Sequence, residues 1–353
     1  MEREDDNLYM QRCLELAEHG RGLTYPNPMV GSVIVSDGRI IGEGYHRKAG
    51  EDHAEVIAIE SVADRSMLKE ATLYVNLEPC SHYGRTPPCA ARIISEGIPR
   101  VVVGTIDTSS KVAGKGIEML RSAGCEVITG VCEEESRAIN IRFFRYNELK
   151  RPYIILKWAE SADGFMDVIR PQGAPLEPFW ITGMAERILV HKWRAEEQAI
   201  LAGGGTIRTD NPSLNVRHWD GPDPVRVIVS RSGLMNSDSN IFRGEGKVLI
   251  FTSNMALSYP NTEVFDSGGD PEGVVDRVLE VLFSKGIQSL FVEGGLTIHE
   301  MFIGSGKWDE ARVFSGTRNW GAGVRAPVIE GRIDEVNRFT NSTLRIIQNE
   351  YIL

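Results

Sequence analysis

The stretch LEPCSHYGRTPPC (residues 77–89) packs two cysteines, a histidine, three prolines and a glycine into thirteen positions. A loop of this composition is a disulfide staple, part of a metal site, or a pair of buried free thiols, and the compartment helps to choose. The chain has five cysteines, Cys13, Cys80, Cys89, Cys125 and Cys132, few and odd in number. Its acidic start, MEREDDNLYMQRC, lacks the basic residues and apolar core of a signal peptide. These features lead us to expect a cytosolic protein, where thiols stay reduced, which argues against a Cys80–Cys89 disulfide.

Outward from the loop, the composition narrows the function classes. The 353 residues are 42% hydrophobic and 25% charged, as in a soluble globular chain of two or three domains. A net charge of −10, from 39 basic and 49 acidic residues, offers no global attraction to nucleic acid or an anionic membrane. It leaves room for a local basic pocket that takes one phosphate. No apolar run is long enough to span a bilayer.

Upstream of the loop, HAE (53–55) opens a segment of helical periodicity, HAEVIAIESVAD. One His and two Cys are the ligand set of a zinc deaminase, which leaves the fourth tetrahedral position for a water acidified by the metal. A neighbouring carboxylate that does not bind the metal then shuttles protons, as in the H-x-E…P-C-x-x-C signature. In a regular helix, positions i and i+2 point apart, so His53 and Glu55 share one site only at a frayed first turn. Pro79 suits a helix start whose N–H groups would favour a Cys80 thiolate. Eight residues separate Cys80 from Cys89 where the generic signature has two. On spacing alone, two buried thiols and a surface histidine therefore stay open beside the metal site.

The remaining pattern alternates helix and strand. LYMQRCLELAEHG reads as a helix ending at Gly20, and GSVIVSDGRIIGEGYH as two strands around an Asp-Gly turn. ATLYVNLE, RVVVGTID and CEVITGV read as strands, CAARIISEGIP and GIEMLRSAG as helices, which together imply an α/β layer with helices on both sheet faces. At FRYNELKRP (144–152) the apolar pattern lapses into charge and ends at a proline, which reads as a junction. A second series follows, with strands at YIILKWA, QAILAGGGT, VRVIVSR, KVLIFT and QSLFVEGG and helices at ERILVHKWRA and VVDRVLEVLFSKG. No G-x-G-x-x-G follows a strand, so a Rossmann dinucleotide site is not indicated. The glycines of AILAGGGTIRTDNP and SLFVEGGLTIHE each stand between a buried strand and a helix, where backbone N–H groups could cradle pyrophosphate or merely form a tight turn.

PNPMVG (26–31), HAE (53–55) and EPCSHYGRTPPC (78–89) together resemble the bifunctional deaminase/reductase family of riboflavin biosynthesis, in which the longer cysteine spacing is usual. RPYIILKWAESADG (151–164), WIT (180–182), GTIRTDNPSLNVR (205–217) and VEGG (292–295) extend the resemblance in the family's order. It implies an α/β protein: a cytidine-deaminase-like three-layer α/β/α domain over 1–148 and a dihydrofolate-reductase-like α/β domain over 149–353. His53, Cys80 and Cys89 become the Zn2+ ligands, Glu55 the proton shuttle and Asn27 a pyrimidine contact. Ala159, Trp180, Thr206, Asp210, Gly295, Leu296 and Thr297 would line NADPH. Arg194, Leu214, Arg217 and Glu293 would contact substrate, the two arginines suiting a ribose 5-phosphate.

The chain departs from the family pattern at several places. GED replaces the usual Gly-x-Pro before HAE, and DTSSKVAGKG (107–116) keeps only Asp107 and Gly-Lys-Gly of the usual run. Residues 165–179 diverge, with Pro178 where a substrate-binding serine is common. VIVSRSG sets Arg231 where it would meet the 2′-phosphate of the cofactor.

The implied function is deamination of 2,5-diamino-6-(5-phosphoribosylamino)pyrimidin-4(3H)-one, then NADPH reduction of its ribosyl group to ribityl. The resemblance also implies a homodimer acting on a small-molecule phosphoribosyl pyrimidine, while the acidic charge and the start of the chain lead us to expect a cytoplasmic protein with no nucleic-acid or membrane partner. Two alternatives stay open at this point: a zinc deaminase acting on a nucleic-acid base, and a structural-zinc, nucleotide-sensing protein without turnover.

Overall fold

The computed structural model describes residues 2–82, 87–109, 113–169, 180–244 and 246–350. Pro178 and most of the divergent 165–179 segment lie outside the described residues, as do 83–86 of the cysteine loop and 110–112. The chain separates into two compact units, Met1–Lys150 and Arg151–Leu353. No described helix is long and apolar enough to cross a membrane.

The first unit runs α1 (Glu2–Glu18), β1 (Gly31–Ser36), β2 (Arg39–Tyr45), α2 (Ala54–Ser61), β3 (Thr72–Leu77), α3 (Cys89–Glu96), β4 (Arg100–Thr105), α4 (Lys115–Ser122), β5 (Glu126–Thr129), α5 (Glu133–Ile139) and α6 (Ile141–Leu149). Its sheet has the order β2-β1-β3-β4-β5, with β1 antiparallel to both neighbours and β3, β4 and β5 parallel. Asp37 and Gly38, at φ 49° and 70°, make the turn between β1 and β2, a conformation that suits an Asp-Gly pair. Strand alternation then sorts the core into two faces. Ile34, Leu73, Val75, Val101 and Val103 pack with Ile59, Ile93 and Leu120 from α2, α3 and α4. Val33, Val35, Tyr74 and Val102 pack on the opposite face with Met10, Cys13 and Leu16 from α1. This is the three-layer α/β/α arrangement.

One local expectation needs correction. Pro79, expected to suit a helix start, lies in the loop after β3; the helix read in CAARIISEGIP does start at Cys89, with Pro88 as its N-cap. A proline preset at φ −64° directly before the first helical turn serves as well as one inside it. The boundary between the two units, after Lys150, falls inside the charged run read as a junction, and the run is helical up to Leu149 because Phe143 and Phe144 give α6 a buried apolar edge and Arg137 stacks on Phe144.

The second unit runs β6 (Tyr153–Glu160), β7 (Phe165–Asp167), α7 (Met184–Glu196), β8 (Ala199–Gly203), α8 (Gly204–Asp210), β9 (Val225–Val229), β10 (Val248–Thr252), β11 (Thr262–Asp266), α9 (Pro271–Ser284), β12 (Ser289–Gly294), α10 (Leu296–Gly304), β13 (Glu310–Gly316), β14 (Val324–Arg325), β15 (Arg332–Arg338) and β16 (Ser342–Gln348). Nine strands form one sheet in the order β11-β10-β9-β8-β12-β6-β13-β16-β15. The seven from β11 to β13 are parallel, and β16 and β15 close the edge antiparallel. Ile154, Leu156, Leu201, Leu249, Phe251 and Leu290 are among the fully covered strand residues of its core. In a parallel sheet the C-terminal strand ends share one edge, where ligands of α/β proteins bind. Here that edge carries Gly203, Ser230 and Gly294 at or just beyond their strands.

Candidate metal centre and reductase cleft

Three short segments of the first unit meet at His53, Cys80 and Cys89. His53 is the extended N-cap of α2, so its ring turns away from the helix while Glu55 sits in the first turn. Cys80 follows β3 in the loop, and Cys89 opens α3. His53 Nδ1 lies 3.7 Å from Cys80 Sγ and 3.3 Å from Cys89 Sγ, and the three ligand atoms all fall within 4.8 Å of one another. Every cysteine is a free thiol, so the disulfide is absent and the loop is held otherwise. The Cys89 N–H, at the start of α3, donates to Cys80 Sγ at 3.3 Å.

These neighbours set the protonation of the site. Hydrogen bonding from Cys89, helped by His53, holds the Cys80 thiol down to about 4 against its burial. Cys80 and burial push Cys89 well above its ordinary value, and Cys80 lifts His53 to about 9. Glu55 is buried, and burial raises its carboxyl against the pull of His53. Asn27 is tied to this cluster through His46: its Nδ2 lies 3.1 Å from His46 Nε2, whose ring stands edge-on to His53 at 5.4 Å.

The second unit gathers its chemistry from distant parts of the chain. A cavity of about 610 Å³ opens at the strand ends, lined by Gly204, Thr206, Arg208, Arg231, Gly295 and Thr297 among others. The expected cofactor residues Thr206, Arg231, Gly295, Leu296 and Thr297 all line it. Ala159, Trp180 and Asp210 are not among its described lining residues. Ala159 pairs with Phe314 inside the sheet, Asp210 ends α8, and Trp180 lines a second cavity of about 380 Å³ with Ser161 and Trp320.

Of the expected substrate residues, Arg194 and Glu293 form a buried two-pronged pair, Nε to Oε1 at 2.6 Å and Nη2 to Oε2 at 2.7 Å. Arg194 Nη1 donates to the Asn215 carbonyl beside Leu214. The Arg194 fork is therefore closed on protein groups, where the sequence suggested one open to phosphate, because a buried guanidinium needs its partner. Arg217 contributes a backbone N–H to His191 Nδ1 and a side-chain bond to Asn215 Oδ1. Burial pushes the Glu293 carboxyl up, but Arg194 and then Lys157 outweigh it and hold it at about 2. Burial pushes the Lys157 amine down, with Glu293 opposing.

Comparison with known proteins decides what these sites belong to. Residues 3–105 match the cytidine and deoxycytidylate deaminase zinc-binding region, and residues 152–352 match the RibD C-terminal domain. The riboflavin biosynthesis protein RibD of Aquifex aeolicus is 39% identical over 331 residues, covering 92% of this chain and 90% of that protein. The Escherichia coli K12 RibD is 36% identical, covering 91% and 90%. The crystal structure of the diaminohydroxyphosphoribosylaminopyrimidine deaminase/5-amino-6-(5-phosphoribosylamino)uracil reductase of Thermotoga maritima superposes with a TM-score of 0.89 at 35% identity, over 99% of this chain and all of that one. The chain belongs to the RibD family.

This RibD chain is accordingly a bifunctional enzyme of riboflavin biosynthesis, a zinc deaminase joined to an NADPH-dependent reductase. Neither alternative, the nucleic-acid base deaminase nor the non-catalytic sensor, is favoured by these matches. The residues present fit both groups. A tetrahedral zinc with Zn–S near 2.3 Å and Zn–N near 2.0 Å requires ligand atoms about 3.6 Å apart, close to the 3.3 and 3.7 Å found here. The dinucleotide fits the backbone cradle at Gly203–Gly205 and Gly295. A Cβ on Gly204 would fall 2.4 Å from Ser230 Oγ, whereas Gly205 has nothing within 4 Å and leaves room in the cleft. The nine-residue α10 starts from Gly295 and turns its free N–H groups to the same edge.

Sequence reasoning missed several residues of this RibD chain. His46 could have been suspected from its place seven positions before His53. Asn76 and Asn140 staple the segment after Asn27, through Met29 and Gly31, and lie far from it in sequence. Lys157 sits in the apolar run YIILKWA, and a lone lysine in a buried strand was the available signal.

Proposed function

We propose that the chain converts 2,5-diamino-6-(5-phosphoribosylamino)pyrimidin-4(3H)-one to its ribityl uracil product in two steps, deamination by residues 1–148 and reduction by residues 149–353. The observation that carries this reading is the close triangle of His53, Cys80 and Cys89 with the buried Glu55 beside it.

His53, Cys80 and Cys89 hold the metal, and Asn27, oriented by His46, contacts the pyrimidine. Zinc, when bound, supplies a Lewis acid that acidifies water near neutral pH. Glu55 takes a proton from the attacking water and delivers it to the departing amine. Its burial, which raises the carboxyl, suits it to carrying that proton.

The second half-reaction needs a hydride at the carbonyl carbon of the ring-opened ribosyl group, which NADPH, when bound, would supply. The Lys157 ammonium gives its proton to the carbonyl oxygen, eased by burial, and Glu293 orients the amine. Arg194 holds Glu293 in place, and Arg217 receives the substrate phosphate beside Leu214. Thr206, Gly295, Leu296 and Thr297 line the dinucleotide, and Arg231 with Arg208 meets the 2′-phosphate. The enzyme works in the cytoplasm as a homodimer on this small-molecule substrate.

The test is mass analysis of products from the diaminopyrimidine ribosylamine phosphate, with zinc, with and without NADPH. We expect ammonia loss without the dinucleotide and two added hydrogens only with it. Failure of both steps would sink the proposal.

A further inference from the structure

Glu78 is buried, two residues before Cys80, and is assigned no role by the chemistry above. An ionised carboxylate only accepts hydrogen bonds, and this one accepts four from the backbone. Oε2 takes the N–H of Gly114 at 2.9 Å and of Asp107 at 3.3 Å, and Oε1 takes those of Gly116 at 2.8 Å and Ile117 at 3.3 Å. The Glu78 N–H donates in turn to the Thr105 carbonyl at 3.0 Å. One side chain thus binds the end of β4 and the start of α4 to the strand end that leads into the metal loop. Packing tightens the same junction, since a Cβ on Gly116 would fall 2.0 Å from the Pro79 carbonyl oxygen. Pro79 lies between Glu78 and Cys80, so its position is fixed from two sides.

Cys80 is tied on its other side to the start of α3. Its carbonyl accepts from the Ala90 N–H at 3.2 Å and its sulfur from the Cys89 N–H, both at the beginning of α3. Restraint at Glu78 and Gly116 complements these from the other side of the loop.

We propose that Glu78 is a positioning residue of the metal centre, which sets Cys80 Sγ at its distance from His53 by clamping the loop to the start of α4. The proposal rests on reading His53, Cys80 and Cys89 as the zinc site. Partners that orient a metal ligand typically affect metal affinity by roughly 10–100-fold. Gln at position 78 keeps the size of the side chain, but its NH2 group would oppose two of the four N–H donors.

The experiment compares full-length wild type, Glu78→Gln and Gly116→Ala for zinc release to a competing chelator and for the absorption spectrum of the cobalt(II)-substituted protein. Far-ultraviolet circular dichroism and thermal unfolding serve as the folding control for the first unit, and NADPH-dependent reduction of the deaminated substrate as the control for the second. Both variants should release zinc at least about ten times faster and show a changed cobalt spectrum. Their deamination kcat should fall with KM nearly constant, and reduction should stay within about twofold of wild type. If wild type binds zinc and both variants keep its release rate and spectrum, losing only thermal stability, the positioning role is wrong while the metal site stands. If wild type binds no zinc at that site, the metal reading and this inference fall together. Gly116→Ala leaves the carboxylate intact, so it carries the test should Glu78→Gln fail to fold.

Discussion

The two units collect their chemistry in contrasting ways. The metal triangle is drawn from three short segments, 53–55, 80 and 89, fixed at a helix cap, a loop and a helix start. The lining of the second unit's cavity comes from segments spread between Gly203 and Met301, brought together because parallel strands end at one edge. A local site tolerates little displacement of any ligand, because each bond length is short and directional. A dispersed site depends on the sheet that assembles it, and its buried charges must compensate each other. Damage to the first should therefore show in one reaction, whereas damage to the second should reach the stability of the unit.

The largest effects sharpen this contrast as a reciprocal pair. Glu55→Gln should reduce deamination by roughly 10²–10⁴-fold and leave reduction of the deaminated substrate nearly unchanged. Lys157→Met should do the reverse, with a loss of similar size in reduction alone. Separate assays of the two half-reactions decide it, and cross-inhibition of more than a few-fold in either variant would break the separation.

Next in size is Glu293→Gln. Leaving Arg194 buried without its partner should cost about 3–5 kcal/mol, measured by denaturant unfolding. The pH dependence follows from the same pair. The folded Glu293 carboxyl is held at about 2, below its ordinary value near 4.3. Its contribution is thus complete above that ordinary value and is lost as pH falls through about 2. Wild type should lose stability over this acid window more steeply than Glu293→Gln, and parallel slopes would contradict the pairing.

The smallest effect concerns the cofactor. Arg231→Ala should raise KM for NADPH by roughly 10–100-fold, the equivalent of one charge-assisted contact of about 1.5–3 kcal/mol. KM for NADH should barely move, and an equal rise for both cofactors would remove Arg231 from the 2′-phosphate.

The contrast also governs what could be read from the sequence. His53, Cys80 and Cys89 could be suspected from residue type, but the eight residues between the cysteines left them open until the resemblance at 78–89, and the structure brings the three together. The clamp at Glu78 was not legible, since it joins positions 29 to 39 residues apart through backbone N–H groups that carry no residue identity. Arg194 looked like a phosphate ligand because nothing in the sequence reveals that Glu293, 99 residues away, closes on it. The strands after β12 were not named either. β15 is exposed along its whole length, so RIDEVNR shows no alternation to read. In α6, a buried Phe143–Phe144 edge was hidden by the charges around it.

The central claim is that one chain houses two separable chemistries, and zinc removal tests it most directly. Protein stripped by a chelator should lose ammonia release from the diaminopyrimidine ribosylamine phosphate, yet still add two hydrogens to the deaminated substrate with NADPH at nearly the original rate. Restoring zinc should restore the first reaction alone. Loss of both reactions on stripping, with the protein still folded, or retention of deamination without zinc, would contradict it.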